Sequence, residues 1–163
     1  MDAGSAIIGA ILLLMAIVPI VMLNHTRMKR DRLSLKILQD SAQNINCKIS
    51  QHDLGGDFGI GMDEEKNVVF FFKRKEDEVN LQHVDLSKID SCQAVKQTRT
   101  IVYKKTADTI TDRIELTLTP KRKDQSDIRF VLFDGETDPQ IIGELQMVDK
   151  WSSLISNRLK RKK

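Results

Sequence analysis

The chain has little of what catalytic or disulfide-built proteins rely on. Its two cysteines, Cys47 and Cys92, are too few for a disulfide framework. In a reducing compartment both are expected to act as small core residues. The three histidines, His25, His52 and His83, are scattered, and no histidine neighbours either cysteine in sequence. No metal site, cofactor site or nucleophile–base pair is expected on this basis, and so no enzyme. The stretch Gly56-Asp57-Phe58-Gly59-Ile60-Gly61 lacks GxGxxG spacing, and no GxxxxGK follows it. A hairpin bulge explains those glycines better than a phosphate loop does. Asp57-Phe58-Gly59 is a kinase tripeptide without the other kinase motifs, and three residues carry no argument. The net charge of +3 is mild and comes from separate clusters rather than one basic surface. Nucleic acid is therefore not an expected partner. There is no internal repeat, and no low-complexity segment apart from Lys160-Arg161-Lys162-Lys163.

What the chain does have is Ala3–Leu23, 21 residues without a charge and apolar almost throughout from Ala6 onward. As a helix, the 18 residues Ala6–Leu23 would reach about 27 Å, close to the hydrocarbon thickness of a bilayer. A cleaved signal peptide would need basic residues before this core and a small-residue cleavage site after it. Here Asp2 precedes it, while His25, Arg27, Lys29, Arg30 and Arg32 follow it. The charge order predicts a retained transmembrane signal anchor over residues 1–24, with the N-terminus outside and the rest in the cytoplasm. Ser5 and Gly9, like Ala6 and Ala10, form small-xxx-small pairs that would let two helices approach. Pro19 removes one internal hydrogen bond.

Residues 25–43 contain neither Gly nor Pro, and Leu33, Ile37 and Leu38 recur at helical spacing. They predict a juxtamembrane helix. Its Arg27, Lys29, Arg30 and Arg32 could rest on anionic headgroups at about 1 kcal/mol each. They could equally do no more than set topology.

From Ile45 the period becomes two. Ile45, Cys47 and Ile49 predict a first strand, His52–Asp57 a turn, and Phe58, Ile60 and Met62 a second strand. Val68–Phe72 is a continuous β-prone run and is expected to be the most buried strand. Strands follow at Val79–Leu86 and Ile89–Val95. Lys96–Asp112 is polar and Thr-rich and reads as a long loop or strand extension, with Ile101, Val102 and Tyr103 as its apolar centre. Ile114, Leu116 and Leu118 alternate up to Pro120, and Ile128, Phe130 and Leu132 give strand seven. Asp138 as N-cap and Pro139 as first residue predict a closing helix to about Leu159. Its stripe is Ile141, Leu145, Val148, Ile155 and Leu159, with Trp151 at the border and at least half buried.

Three stretches carry a family resemblance: DFGIGMDEEKNVVFFF, VDLSKIDSCQAV after strand four, and DKWSSLISNRL with Trp151. Seven short strands in meander order before one amphipathic helix resemble the pleckstrin-homology-like superfold over about residues 45–160. The resemblance implies a seven-stranded, partly open orthogonal barrel capped by the C-terminal helix. The expected fold is therefore an N-terminal single transmembrane helix plus a mainly-β domain over residues 44–160, with a basic tail at 161–163. Members of the superfold are adaptors more often than enzymes. Some bind inositol phosphates through basic residues beside the first hairpin loop, but His52–Asp57 carries two Asp and no Lys or Arg.

Together these readings predict a membrane-anchored adaptor or accessory subunit docking on a larger membrane protein assembly. Ile101, Val102 and Tyr103 would be its protein contact. The alternative is a peripheral sensor of anionic lipid that uses Arg27, Lys29, Arg30 and Arg32 together with Lys160, Arg161, Lys162 and Lys163. The expected partners are membrane lipids, through the span, and another membrane protein.

Overall fold

A computed structural model describes the backbone of residues 3–76, 78–103 and 106–161. Within that backbone it describes every side chain except those of residues 3–10, 12–14, 16, 20–27, 101–103 and 106–108. The chain divides into two units, residues 1–37 and residues 38–163.

Residues 3–44 form one helix, α1 (Ala3–Asn44), which passes through Pro19. The expected anchor and juxtamembrane helix are thus one element. Among the described residues no helix is long and apolar enough to cross a membrane. This corrects the transmembrane signal anchor and the single-pass location with N-terminus outside and domain in the cytoplasm. Most side chains of Ala6–Leu23 lie outside the described residues, and the part of α1 described without interruption, from Met28 on, is rich in charge.

The end of α1 explains a second correction. Cys47 N donates to Ala42 O at 2.7 Å, Asn46 N donates to Gln43 O at 2.9 Å, and Asn46 has φ 56°. This is a Schellman ending, with an asparagine in the left-handed position that glycine more often takes. It keeps residues 45–49 out of any strand, despite the alternation of Ile45, Cys47 and Ile49. The first strand comes later, as β1 (Gln51–Leu54), and takes over the first half of the expected turn.

Next come β2 (Phe58–Asp63), β3 (Val68–Lys75) and β4 (Glu78–Asp85). They form a four-stranded antiparallel sheet in the order β1-β2-β3-β4. A short 3-10 turn, Leu86–Lys88, then redirects the chain, with the Asp85 carboxylate accepting Ser87 N at 2.9 Å. Beyond it β5 (Ile89–Tyr103), β6 (Thr106–Pro120) and β7 (Ile128–Asp134) form a separate three-stranded sheet. The expected seven-stranded barrel is thereby corrected to two sheets of four and three strands. The 3-10 turn occupies the place where β4 would have to pass its ladder on to β5.

The closing helix α2 (Glu144–Lys160) starts after Gly143, at φ 96°, rather than at Pro139. Asp138 is not free to cap it, because its carboxylate accepts Lys73 Nζ and Asp134 N, both at 2.7 Å.

The core lies between the sheets and α2. Phe58, Ile60, Met62, Val69 and Phe71 come from the first sheet. Ile114, Leu116, Leu118, Phe130 and Leu132 come from the second, and Val148, Trp151 and Ile155 from α2. Trp151 is not at a border: it is 1 % exposed, and its indole N–H donates to Asp53 Oδ2 at 2.8 Å. Phe70 and Phe72 point to the other face of β3, are also fully buried, and stand outside that cluster, as do Leu38, Ala42 and Cys47. β3 is therefore apolar on both faces, which is why Val68–Phe72 reads as an unbroken run rather than an alternation.

Two polar hubs hold the loops. At the end of β2, Asp63 accepts the backbone N–H of Lys48 at 2.8 Å and, from the β2–β3 loop, of Glu65 and Lys66 at 2.9 Å. Burial pushes its carboxyl up, but these bonds and one from the Cys47 thiol outweigh it and hold the pKa below the usual value. From α2, Arg158 reaches the same loop, donating to Asn67 Oδ1 at 2.9 Å and to Glu64 O. The second hub is Lys73, whose ammonium bonds Asp138, Leu132 O at 3.2 Å and Asp57 at 3.3 Å. It ties β3 to the segment after β7. Asp57 is pushed up by burial, against the pull of Lys73.

Candidate docking surface

The sequence of Lys96–Asp112 is open between a long loop and a strand extension. Residues 96–103 and 106–112 are strand, the second of those readings. β5 and β6 pair from Ile89↔Pro120 to Tyr103↔Thr106, whereas β7 flanks β6 only over Arg113–Leu118. From Thr98↔Thr111 onward the hairpin runs on as a two-stranded ribbon with no third strand beside it among the described residues. Six residues of strand at about 3.4 Å each carry it roughly 20 Å past the three-stranded body. The residues suit the shape: Thr98, Thr100, Ile101, Val102, Thr106, Thr109, Ile110 and Thr111 are β-branched, and β-branched residues favour strand without needing burial on both sides. Of those whose side chains are described, Lys96–Thr100, Thr109 and Ile110 are exposed. A register shift between Gln97 and Thr98 marks the base of the ribbon, where a bulge increases twist and bends the strands.

At that base lies an open cleft of about 270 Å³ lined by Gln97, Arg99, Asp112, Arg113, Asp134 and Glu136, with Gly135. Arg99 Nε meets Asp112 at 3.0 Å, and Arg113 Nη2 meets Asp134 at 3.1 Å. Gly135 closes one wall through its N–H, which donates to Asp112 O at 2.7 Å. Beside the cleft, on the face of β6 away from the core, Glu115 is 2 % exposed between Arg113 and Arg129, each 3.8 Å away. Arg113 Nε, Glu115 Oε2 and Thr117 Oγ1, at alternate positions of β6, are buried without a hydrogen-bond partner. The cleft is therefore polar, with charges of both signs.

Such a lining can bind through salt bridges and hydrogen bonds, but none of its residues is a cysteine, serine or histidine able to act as nucleophile or near-neutral base. The two cysteines lie elsewhere and are buried. Burial pushes the Cys92 thiol up to about 12, and burial with the neighbouring Asp63 raises that of Cys47, so both are thiols rather than thiolates at neutral pH. Among the described residues, no group of three or more His, Cys, Asp or Glu could hold a metal ion.

Ile101, Val102 and Tyr103 form the last three residues of β5, far along the ribbon, and their side chains lie outside the described residues. Lys29, Arg30 and Arg32 are exposed on α1, while the side chain of Arg27 lies outside the described residues. Lys160 and Arg161 are exposed at the end of α2, and Lys162 and Lys163 lie outside the described residues. The two basic clusters belong to different units of the chain. Sequence reasoning missed Arg113, Glu115, Asp134 and Gly135 as one constellation. The usable signal was the density of β-branched residues in Lys96–Asp112, which argued against a loop of that length.

In comparisons with known proteins, no family model, no curated protein and no solved structure matches the chain.

Proposed function

We propose that this chain is an adaptor-type docking domain that engages another protein through the β5–β6 ribbon and the cleft at its base. The observation that carries the reading is the ribbon itself, which continues from Thr98↔Thr111 to Tyr103↔Thr106 with no third strand among the described residues. A two-stranded ribbon alone is marginally stable in water. A partner strand or groove would complete it, since neither edge pairs with a further strand among the described residues. The polar cleft adds charged groups of both signs around a strand-built contact, a common source of binding specificity.

The test replaces Ile101, Val102 and Tyr103 with Ser and compares the proteins that copurify from the cells that make the chain. Loss of specific partners with an unchanged melting temperature supports the proposal. Unchanged partners refute it. A large fall in melting temperature assigns these residues to the packing of the domain instead.

A further inference from the structure

Sheet edges are normally blunted, because a free row of N–H and C=O groups recruits other strands. In this chain three of the four outer strands show such a device. β1 is four residues long, β5 carries register shifts at Ile89/Ser91 and Gln97/Thr98 along the three-stranded body, short of its ribbon, and the β6–β7 ladder shifts at Ile114/Glu115. β4 shows none. It pairs with β3 without a shift from Val68↔Asp85 to Lys75↔Glu78, and its sequence EVNLQHVD holds no Lys and no Pro. Glu78, Val79, Asn80 and Leu81 are exposed in succession. Val79 is 43 % and Leu81 42 % exposed. Both lie on the face that carries Phe72, which pairs with Leu81, so an apolar surface runs outward to an open edge.

We infer that β4 pairs with β4 of a second copy of this chain, antiparallel about a two-fold axis at Asn80. The side chains select this occupant and this register. With the axis at Asn80, Val79 of each copy faces Leu81 of the other, making an apolar cluster of four side chains on one face. Glu78 faces Gln82, whose amide can donate to the carboxylate, so no like charges meet. An axis one residue along, at Leu81, would place Val79 opposite His83 and Glu78 opposite Val84. Opposite residues of a ladder share a face, so no axis falls between two residues, and an axis at Val79 would set Leu81 opposite position 77, outside β4. Two-fold pairing of one patch with itself is the commonest form of self-association. Five residues per chain bury well under the roughly 1,200 Å² of a standard stable interface. The dimer is accordingly weak, with a Kd in about the micromolar to millimolar range. It uses a different sheet from the ribbon, so either can fail without the other.

Cysteine cross-linking of the full chain tests it. In the paired state two Asn80 positions are about 5 Å apart, whereas two Glu78 positions are about 14 Å apart. The native Cys47 and Cys92 are buried and give little background. With a short bis-maleimide, Asn80→Cys is expected to form covalent dimer at least several-fold faster than Glu78→Cys alone. A mixture of Glu78→Cys and Gln82→Cys is expected to cross-link between the two. Adding Val79→Lys and Leu81→Lys, at exposed positions, should abolish the Asn80→Cys product while leaving the melting curve in place. Equal rates for Asn80→Cys and Glu78→Cys, or an Asn80→Cys product indifferent to the two lysines, overturn the proposal. So does the absence of any Asn80→Cys dimer at millimolar chain concentration.

Discussion

Asp63→Ala is the substitution whose consequence can be worked most fully. The Asp63 side chain is buried, and its two oxygens accept three backbone N–H groups, from Lys48 on one oxygen and from Glu65 and Lys66 on the other. Alanine orphans all three donors at once. A hydrogen bond to a charged acceptor contributes about 1.5–3 kcal/mol. Water can reach part of this loop and recover some of the loss, so the expected net cost is about 3 kcal/mol, within a range of roughly 2–5. That is a large share of a typical stability of about 5–15 kcal/mol. Urea unfolding of both proteins at pH 7 measures it directly. The pH dependence gives an independent check. Because the folded pKa of Asp63 lies below its unfolded value of about 3.9, its stabilisation is fully present above that value and fades as pH falls through the folded pKa. The gap between wild type and Asp63→Ala should therefore be constant from pH 7 to about 5 and narrow below about pH 4. A gap under about 0.5 kcal/mol at pH 7, or one that stays the same down to pH 3, refutes the account of Asp63 as the loop's anchor.

Trp151→Phe keeps an aromatic ring in the core but removes the donor to Asp53, at an expected cost of about 1–3 kcal/mol in urea unfolding. Trp151→Ala should cost about 3–5 kcal/mol, and similar values for the two would mean that packing contributes nothing there. Gly59→Ala would set a Cβ 2.5 Å from the Phe72 ring and 3.0 Å from Leu54. It should destabilise by about 1–3 kcal/mol, more than Gly61→Ala, where the nearest neighbour is Ile49 at 3.3 Å. Thermal melts that rank the two the other way would refute the packing argument.

The parts of the fold that sequence alone made legible are those where local pattern and burial agree. Val68–Phe72 announced a buried strand, and Ile114, Leu116 and Leu118 announced the inner face of β6. The most uniformly buried strand is nevertheless β2, buried at all six positions, where its glycines hid the pattern. The misreadings have local causes. Ile45, Cys47 and Ile49 alternate like a strand, but a Schellman ending at Asn46 lets the preceding helix run to Asn44, and no glycine signals the stop. Asp138-Pro139 has the form of a helix start, but Lys73, distant in sequence, claims the Asp138 carboxylate. Lys96–Asp112 stays open between loop and strand extension because its side chains are polar while its β-branched content is that of a strand. Ile101, Val102 and Tyr103 were visible as an apolar island. The cleft was not, because a bulge at Gln97/Thr98 and the register of β6 with β7 bring its walls together from positions 97 to 136.

The dependence of the core on α2 has a consequence for biosynthesis. Trp151 and its partner Asp53 are 98 residues apart, and Val148 and Ile155 fill the same interior. A ribosome that has just polymerised β7 has made every strand and none of the helix. At about 5–20 residues per second, the interval from Asp134 to Lys160 lasts about one to five seconds. During it the inner faces of both sheets, with Phe58, Phe71, Leu116 and Phe130, have nothing to close over them. The nascent chain is then most open to capture by chaperones or by other nascent chains, and pausing of translation just after β7 would prolong that exposure.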